Sequence, residues 1–183
     1  MLRTTQAIRA GIHPRTLYAM RDAGEVERLS RGVYRLAELP PLLHSDLVSV
    51  ALRAPEGVIC LISALAYHDI TTQIPHEVHV ALPRGRRLST RDHPPVRVFW
   101  FSQIAFAAGV ETHTLDRASV RIYSPEKTLA DCFKYRNKIG LDTALEALKL
   151  YCERRPIKVG DLLRYAKVCR VEKVMRPYME ALL

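Results

Sequence analysis

No stretch of the 183-residue chain approaches the roughly 18 consecutive apolar residues of a membrane-spanning helix. The first residues, Met1-Leu2-Arg3-Thr4-Thr5-Gln6, hold no apolar run of the signal-peptide kind, so a cytoplasmic protein is expected. Cysteine is scarce. Cys60, Cys132, Cys152 and Cys169 lie far apart and form no CxxC pair, which argues against a zinc ribbon and for reduced structural thiols. There is no glycine-rich phosphate loop, no Gly-x-Ser-x-Gly elbow, no internal repeat and no low-complexity tract. Acid is in deficit: 19 Asp and Glu stand against 28 Lys and Arg, giving a net charge of +9. That imbalance favours a polyanionic partner. What remains is an ordinary globular composition, 48% apolar and 26% charged, long enough to bury a core without disulfides.

The charge is not spread evenly. Residues 1–36 carry seven arginines, at 3, 9, 15, 21, 28, 31 and 35, against Asp22, Glu25 and Glu27. Leu39-Pro40-Pro41 follows, and paired prolines break both helix and strand. The chain therefore divides near residue 38, into units 1–38 and 39–183.

Within the first unit, Thr4 or Thr5 can cap a short helix carrying Ala7, Ile8 and Ala10, ended by Gly11. Pro14 opens a second helix that Gly24 closes. Two short helices joined by a Gly-containing turn read as a helix-turn-helix. Leu17 and Met20 then face inward with Ile8 and Ile12, while Arg15, Thr16 and Ala19 share the outward face, flanked by Tyr18 and Asp22. Val26 to Leu29, Ser30-Arg31-Gly32 and Val33 to Leu36 read as strand, turn and strand, a wing with a basic tip. Arg31 and Arg35 on that wing suit phosphates or a minor groove. The competing reading is a small packing module with a solvated arginine surface.

The second unit alternates. A helix is expected over Ser45 to Ala54, a short buried strand over Val58 to Leu61, and a helix over Ser63 to Asp69 capped by Ser63. Glu77 to Leu82 and Val96 to Phe101 read as paired strands, with a basic loop holding Arg84, Arg86, Arg87 and Arg91 between them. Val110 to Leu115 and Ala118 to Tyr123 read as a hairpin turning at Asp116-Arg117. After Ser124-Pro125 the chain is helical, with helices predicted up to Gly140, over Leu141 to Cys152, Lys158 to Cys169 and Val171 to Leu182. The fold class is α+β: an N-terminal winged helix-turn-helix, then a mixed domain of short β-sheet and C-terminal helices.

These residues resemble the AbiEi-family antitoxins. The resemblance is carried by Thr5-Gln-Ala-Ile-Arg-Ala-Gly-Ile-His-Pro-Arg-Thr-Leu-Tyr18 and by Gly24 to Leu36 with its Arg31-Gly32-Val33-Tyr34 wing. It continues in Ser63-Ala-Leu-Ala-Tyr-His-Asp69, Val78 to Pro83 and Ser124-Pro-Glu-Lys-Thr-Leu-Ala-Asp-Cys-Phe133. It implies the antitoxin of a bacterial abortive-infection pair, a phage-defence system. Such a protein is a non-enzymatic autorepressor, without cofactor, that binds repeats in its own promoter. The implied functional partner is a nucleotidyltransferase-like toxin, often neutralised without a stable complex. Thr5, His13, Arg15, Thr16, Tyr18, Arg31 and Arg35 are the candidate DNA contacts. Family members usually carry a further helix before the position of Thr4, where only Met1-Leu2-Arg3 stand here, so the expectation is either a truncated or misassigned start or an abbreviated winged helix that lacks this first helix.

Other constellations compete less well. His76-Glu77-Val78-His79 is one residue short of the HExxH zinc motif, and on a strand its histidines point to opposite faces, so no metal site is expected. Asp116, Glu126 and Lys127 resemble a nuclease carboxylate–lysine set. Glu126 and Lys127 are better read as the first turn of a helix, where acids favour the dipole. His68-Asp69 reads as structural. Residues 149–176 hold nine basic groups against Glu153, Asp161 and Glu172. Arg164, Lys167 and Arg170 recur there every three residues, as a solvated face or a second polyanion-contacting surface. Arg84-Gly85-Arg86-Arg87 is a weaker candidate of the same kind. The rival functions are a winged-helix regulator whose second domain senses a ligand or dimerises, and a nuclease with a basic guide domain.

Overall fold

The computed structural model describes residues 1–30, 32–39, 42–88, 93–154 and 156–182. The first unit begins with strand β1 (Leu2–Arg3) and helix α1 (Thr4–Arg9). A turn led by Gly11 delivers the chain to α2 (Pro14–Asp22), and strands β2 (Val26–Ser30) and β3 (Val33–Leu36) complete the unit. The three strands form an antiparallel sheet in the order β1-β3-β2, with a bulge between Arg28 and Ser30. Thr4 fixes the start of α1 to the hairpin: its N–H and its hydroxyl both donate to the Gly32 carbonyl, at 2.9 and 3.3 Å. Helix α1 is capped by Arg3 rather than by a threonine, its N–H donating to Gln6 Oε1 at 3.1 Å. A separate small core of Ala7, Leu17, Val26 and Tyr34 holds the unit together. Ile8 departs from expectation and is 52% exposed. Successive helical residues lie about 100° apart, so α1 turns only one of Ala7 and Ile8 toward α2, and the close crossing takes the methyl group.

The second unit is a five-stranded mixed sheet in the order β6-β5-β4-β8-β7. The strands are β4 (Val58–Ile59), β5 (Val78–Pro83), β6 (Val96–Phe101), β7 (Val110–Leu115) and β8 (Ala118–Tyr123). β5 and β6 pair in parallel, as do β4 and β8, while β4–β5 and β7–β8 are antiparallel. The β7–β8 hairpin turns through Asp116 and Arg117, both at positive φ, as a two-residue primed turn requires. Helix α3 (Ser45–Arg53) covers one face of the sheet, where Val48 and Val50 meet Val80, Val120 and Ile122. The other face carries α4 (Leu61–Tyr67), α6 (Pro125–Lys134), α8 (Leu141–Cys152), α9 (Val159–Val168) and α10 (Glu172–Leu182) around Tyr123, Leu129, Phe133, Leu148 and Met175. Two short helices, α5 (Gln103–Ala107) and α7 (Arg136–Ile139), lie in segments without a clear helical period. Apolar stripes on one sheet face and on five helices make this the larger of the unit's two cores.

Ser63 is not a cap. α4 starts two residues earlier, at Leu61, and the buried Ser63 hydroxyl accepts from the His79 N–H at 2.9 Å. The helix is thereby stitched to β5. Ser124 does cap α6, its Oγ accepting from the Lys127 N–H at 3.3 Å. Among the described residues, no helix is long and apolar enough to cross a membrane.

Candidate nucleic-acid interface

Pro14 starts α2 because its missing N–H has no intrahelical partner to lose. The preceding His13 accepts the Arg15 N–H on Nδ1 at 3.2 Å. In the neutral ring this leaves the proton on Nε2 as a free donor. Leu17 is buried, and His13, Arg15, Thr16, Tyr18 and Ala19 are all exposed. The outward face expected from the sequence thus exists as one contiguous surface on the first two turns of α2. Thr5 is also exposed, on α1. Arg21 flanks the surface but is engaged, bonded to Asp22 at 2.7 Å and lying 5.5 Å from the Tyr18 ring.

The wing divides. Arg31 lies outside the described residues. Arg35 is placed otherwise than expected: it is 5% exposed, and its Nε lies 2.8 Å from Glu27 Oε1. The same guanidinium donates to the carbonyls of Leu36 and Leu39. Glu27 is its cross-strand partner in the β2–β3 ladder, on the face opposite the core residues Val26 and Tyr34, and there the Arg35 side chain is covered. Arg35 fastens the hairpin to the segment leading toward α3. As placed, its guanidinium is engaged within the chain rather than presented at the surface.

The C-terminal basic residues also separate. Arg164 is spent on its own helix, 2.9 Å from Asp161 and 4.6 Å over the Tyr165 ring. Lys167 and Arg170 instead line a cleft of ≈ 540 Å³, whose lining also includes Arg84. Arg84 thereby joins two residues more than 80 positions away. Trp100, Lys134 and Tyr135 are also among the lining residues, and none of them stands out in the sequence. The signal for Trp100 was the alternation of β6, where Phe99 and Phe101 point inward and Trp100 outward.

Beneath this cleft lies the least expected feature. Lys127 and Asp131 are 0% and 1% exposed and form an i,i+4 ion pair, Nζ standing 2.7 and 2.6 Å from the two carboxylate oxygens. The ammonium also faces the Tyr123 ring at 4.2 Å and the Phe101 ring at 4.9 Å. The Cys169 thiol donates to Asp131 Oδ1 at 3.2 Å. Glu126 is buried too, accepting from the Tyr151 hydroxyl at 2.9 Å. Glu126 and Lys127 do stand in the first turn of α6, and that polar start is enclosed rather than open to solvent. Gly109 makes room for it. A Cβ at that position would stand 2.6 Å from the Lys127 Cβ, and its φ of +68° suits glycine.

The remaining candidates are not assembled. Asp116 sits at the far end of the six-residue β8 from Glu126, about 20 Å along the strand. Its Oδ2 accepts from the His44 N–H at 3.3 Å. His76 is exposed ahead of β5, and His79 is buried within it against Phe99 at 5.0 Å. Among the described residues, no group of three or more His, Cys, Asp and Glu is placed to hold a metal ion. His68 is structural, its Nε2 bonded to the Tyr123 carbonyl at 2.8 Å. All four cysteines are free. Burial raises each of their pKa values, which makes unreactive thiols.

A family model described as "Transcriptional regulator, AbiEi antitoxin" matches residues 1–37. That match suggests a regulator or antitoxin role and is consistent with DNA binding. Among solved structures, the chain is similar to the RV2827C protein from Mycobacterium tuberculosis, with a TM-score of 0.49 and 15% identity, over 98% of this chain and 73% of that one. No curated protein matches the chain.

Proposed function

We propose that the chain is an antitoxin that represses its own operon in the cytoplasm. In this reading residues 1–38 act as a winged helix-turn-helix on promoter repeats, and residues 39–183 supply neutralisation of a nucleotidyltransferase-like toxin. The observation that carries it is the exposed His13, Arg15, Thr16 and Tyr18 surface at the start of α2, on a unit with its own core. The N-terminal residues of a recognition helix are those that meet base edges. The family match over residues 1–37 supports the same role. The net charge of +9 adds the sequence-independent attraction that duplex DNA demands.

A gel-shift titration of the full chain on its own promoter tests the reading. Arg15→Ala is expected to lose about 1–3 kcal/mol at the specific site, as for a side chain paired to a guanine edge. Arg31→Ala is expected to weaken specific and random DNA alike, as a phosphate contact does. In cells carrying the neighbouring toxin gene, Arg15→Ala should release the promoter while rescue persists at matched expression. Unchanged promoter affinity in both variants overturns the assignment.

A further inference from the structure

The start of α2 is built unlike an ordinary helix N-terminus. Such an end offers unbonded N–H groups, which make it a general seat for anions. Here Pro14 has no N–H, the Arg15 N–H donates to His13 Nδ1 at 3.2 Å, and the Thr16 N–H donates to the His13 carbonyl at 2.9 Å. The backbone of these three positions is thus spent within the chain, and what they can offer a ligand is carried by side chains. The cap itself lies outside the usual set of Ser, Thr, Asp and Asn.

Capping by a histidine fixes the polarity of the ring. A ring nitrogen that accepts carries no proton, so the neutral imidazole of His13 holds its single proton on Nε2. The two nitrogens lie on opposite sides of the ring, so Nε2 faces away from the helix end that Nδ1 caps. The side chain is exposed, and its Nε2 has no hydrogen-bond partner among the described residues. Arg15, two residues on, is exposed as well, and a guanidinium only donates. Two residues of helix advance about 3 Å along the axis, close to the roughly 3.4 Å between successive base pairs of a duplex. The first turn therefore presents two donors at base-pair spacing, followed by the Thr16 hydroxyl, which can serve either way.

We propose that His13 is a specificity-determining residue, which together with Arg15 selects two adjacent guanines on one strand of the major groove. Arg15 takes one guanine edge, and His13 Nε2–H donates to the N7 or O6 of the next. The assignment rests on the reading of α2 as a recognition helix and adds what that helix reads. Guanine shows two acceptors and no donor in the major groove. Cytosine shows an amino donor, which would meet Nε2–H donor to donor, and adenine sets its amino group beside N7. Thymine has a single acceptor with a methyl group beside it. The cap also keeps the ring oriented before binding, so its donor is in place without an ordering cost at the moment of contact.

Selection from a pool of randomised duplexes tests this with the full chain and with His13→Ser, His13→Asp and Arg15→Ala. Serine and aspartate both cap helices, so α2 is retained in the two His13 variants, and circular dichroism checks the fold of all three. The parent should enrich two adjacent guanines on one strand. His13→Ser, a neutral cap too short to reach a base, should relax one of the two, its discrimination there falling about tenfold, and leave the other in place. Arg15→Ala should relax that other guanine. His13→Asp should turn the preference at the His13 position from guanine to cytosine, whose amino group a carboxylate accepts. This inversion separates base reading from capping, because aspartate keeps the cap and reverses only the polarity of the contact. A parent site without adjacent guanines overturns the proposal while leaving promoter binding intact. So does a His13→Ser or His13→Asp variant that selects the parent sequence unchanged. A parent that enriches no sequence at all overturns both this assignment and the reading of α2 as a recognition helix.

Discussion

Removing the Asp131 carboxylate should be among the most damaging single changes in the second unit. Asp131→Ala takes both oxygens from an ammonium that is 0% exposed and has no other anion at hand. Breaking a buried ion pair by deleting one partner costs about 3–5 kcal/mol, because the surviving charge stays desolvated. The Tyr123 and Phe101 rings at 4.2 and 4.9 Å remain and offset part of that loss, which sets the expectation near the lower bound, about 3 kcal/mol. For a chain of this length that corresponds to a fall of about 10 °C in melting temperature. Denaturant unfolding followed at Trp100 measures it within the unit that holds the pair. Replacing both partners, Lys127→Met with Asp131→Leu, should recover most of the loss, since an apolar pair needs no desolvation. A loss below about 1 kcal/mol, or a double variant weaker than the single one, refutes the account.

Three further outcomes are expected. His79 is buried beside Phe99, and burial lowers its pKa from 6.5 to about 4 despite Glu77 at 3.6 Å, with Arg97 pushing the same way as burial. The unfolded state therefore binds the extra proton, so stability holds above pH 6.5 and falls as pH drops toward about 4, by at most about 1.4 kcal/mol per unit from this group. His79→Phe should flatten that slope in urea titrations, and an unchanged slope would count against His79 as its source. Arg35→Ala should weaken promoter binding through loss of folded hairpin while leaving the salt dependence of binding intact, whereas loss of a phosphate contact lowers the log–log slope by about 0.9. A slope reduced by that amount would restore Arg35 to the DNA surface. Gly109→Ala should cost about 2–4 kcal/mol in thermal unfolding, from backbone strain at φ +68° together with overpacking against Lys127. A near-neutral result would mean that α6 can shift away from β7.

The first unit was legible because its punctuation is local. Gly11, Pro14 and Gly24 each mark a helix boundary by a backbone requirement that no partner elsewhere alters, and the structure follows all three. Ile8 and Arg35 were misplaced for the opposite reason. Side-chain direction on a six-residue helix or a four-residue strand depends on how the element meets its neighbour, α2 for the helix carrying Ile8 and β2 with Glu27 for the strand carrying Arg35. The hairpin β7–β8 and the helix start at Ser124-Pro125 were equally local and equally visible.

The second unit hides its chemistry in long-range pairing. Parallel strands β5 and β6 look in sequence like any adjacent pair, and nothing local reveals that their parallel pairing brings Arg84 and Trp100 to one end of the sheet. Arg164, Lys167 and Arg170 appear as one charged stripe, yet Asp161 removes the first from it and the cleft collects the other two. Charge spacing along a helix thus reported where cations are, and only the partners across the fold decided which of them are spent. The same rule explains Lys127. A lysine one turn into a helix reads as solvated until Gly109 brings β7 against it and Tyr123, Phe101 and Asp131 enclose the ammonium. The two surfaces therefore divide by range: the α2 surface is written in neighbouring residues, and the cleft exists only once the sheet and the C-terminal helices have closed around it.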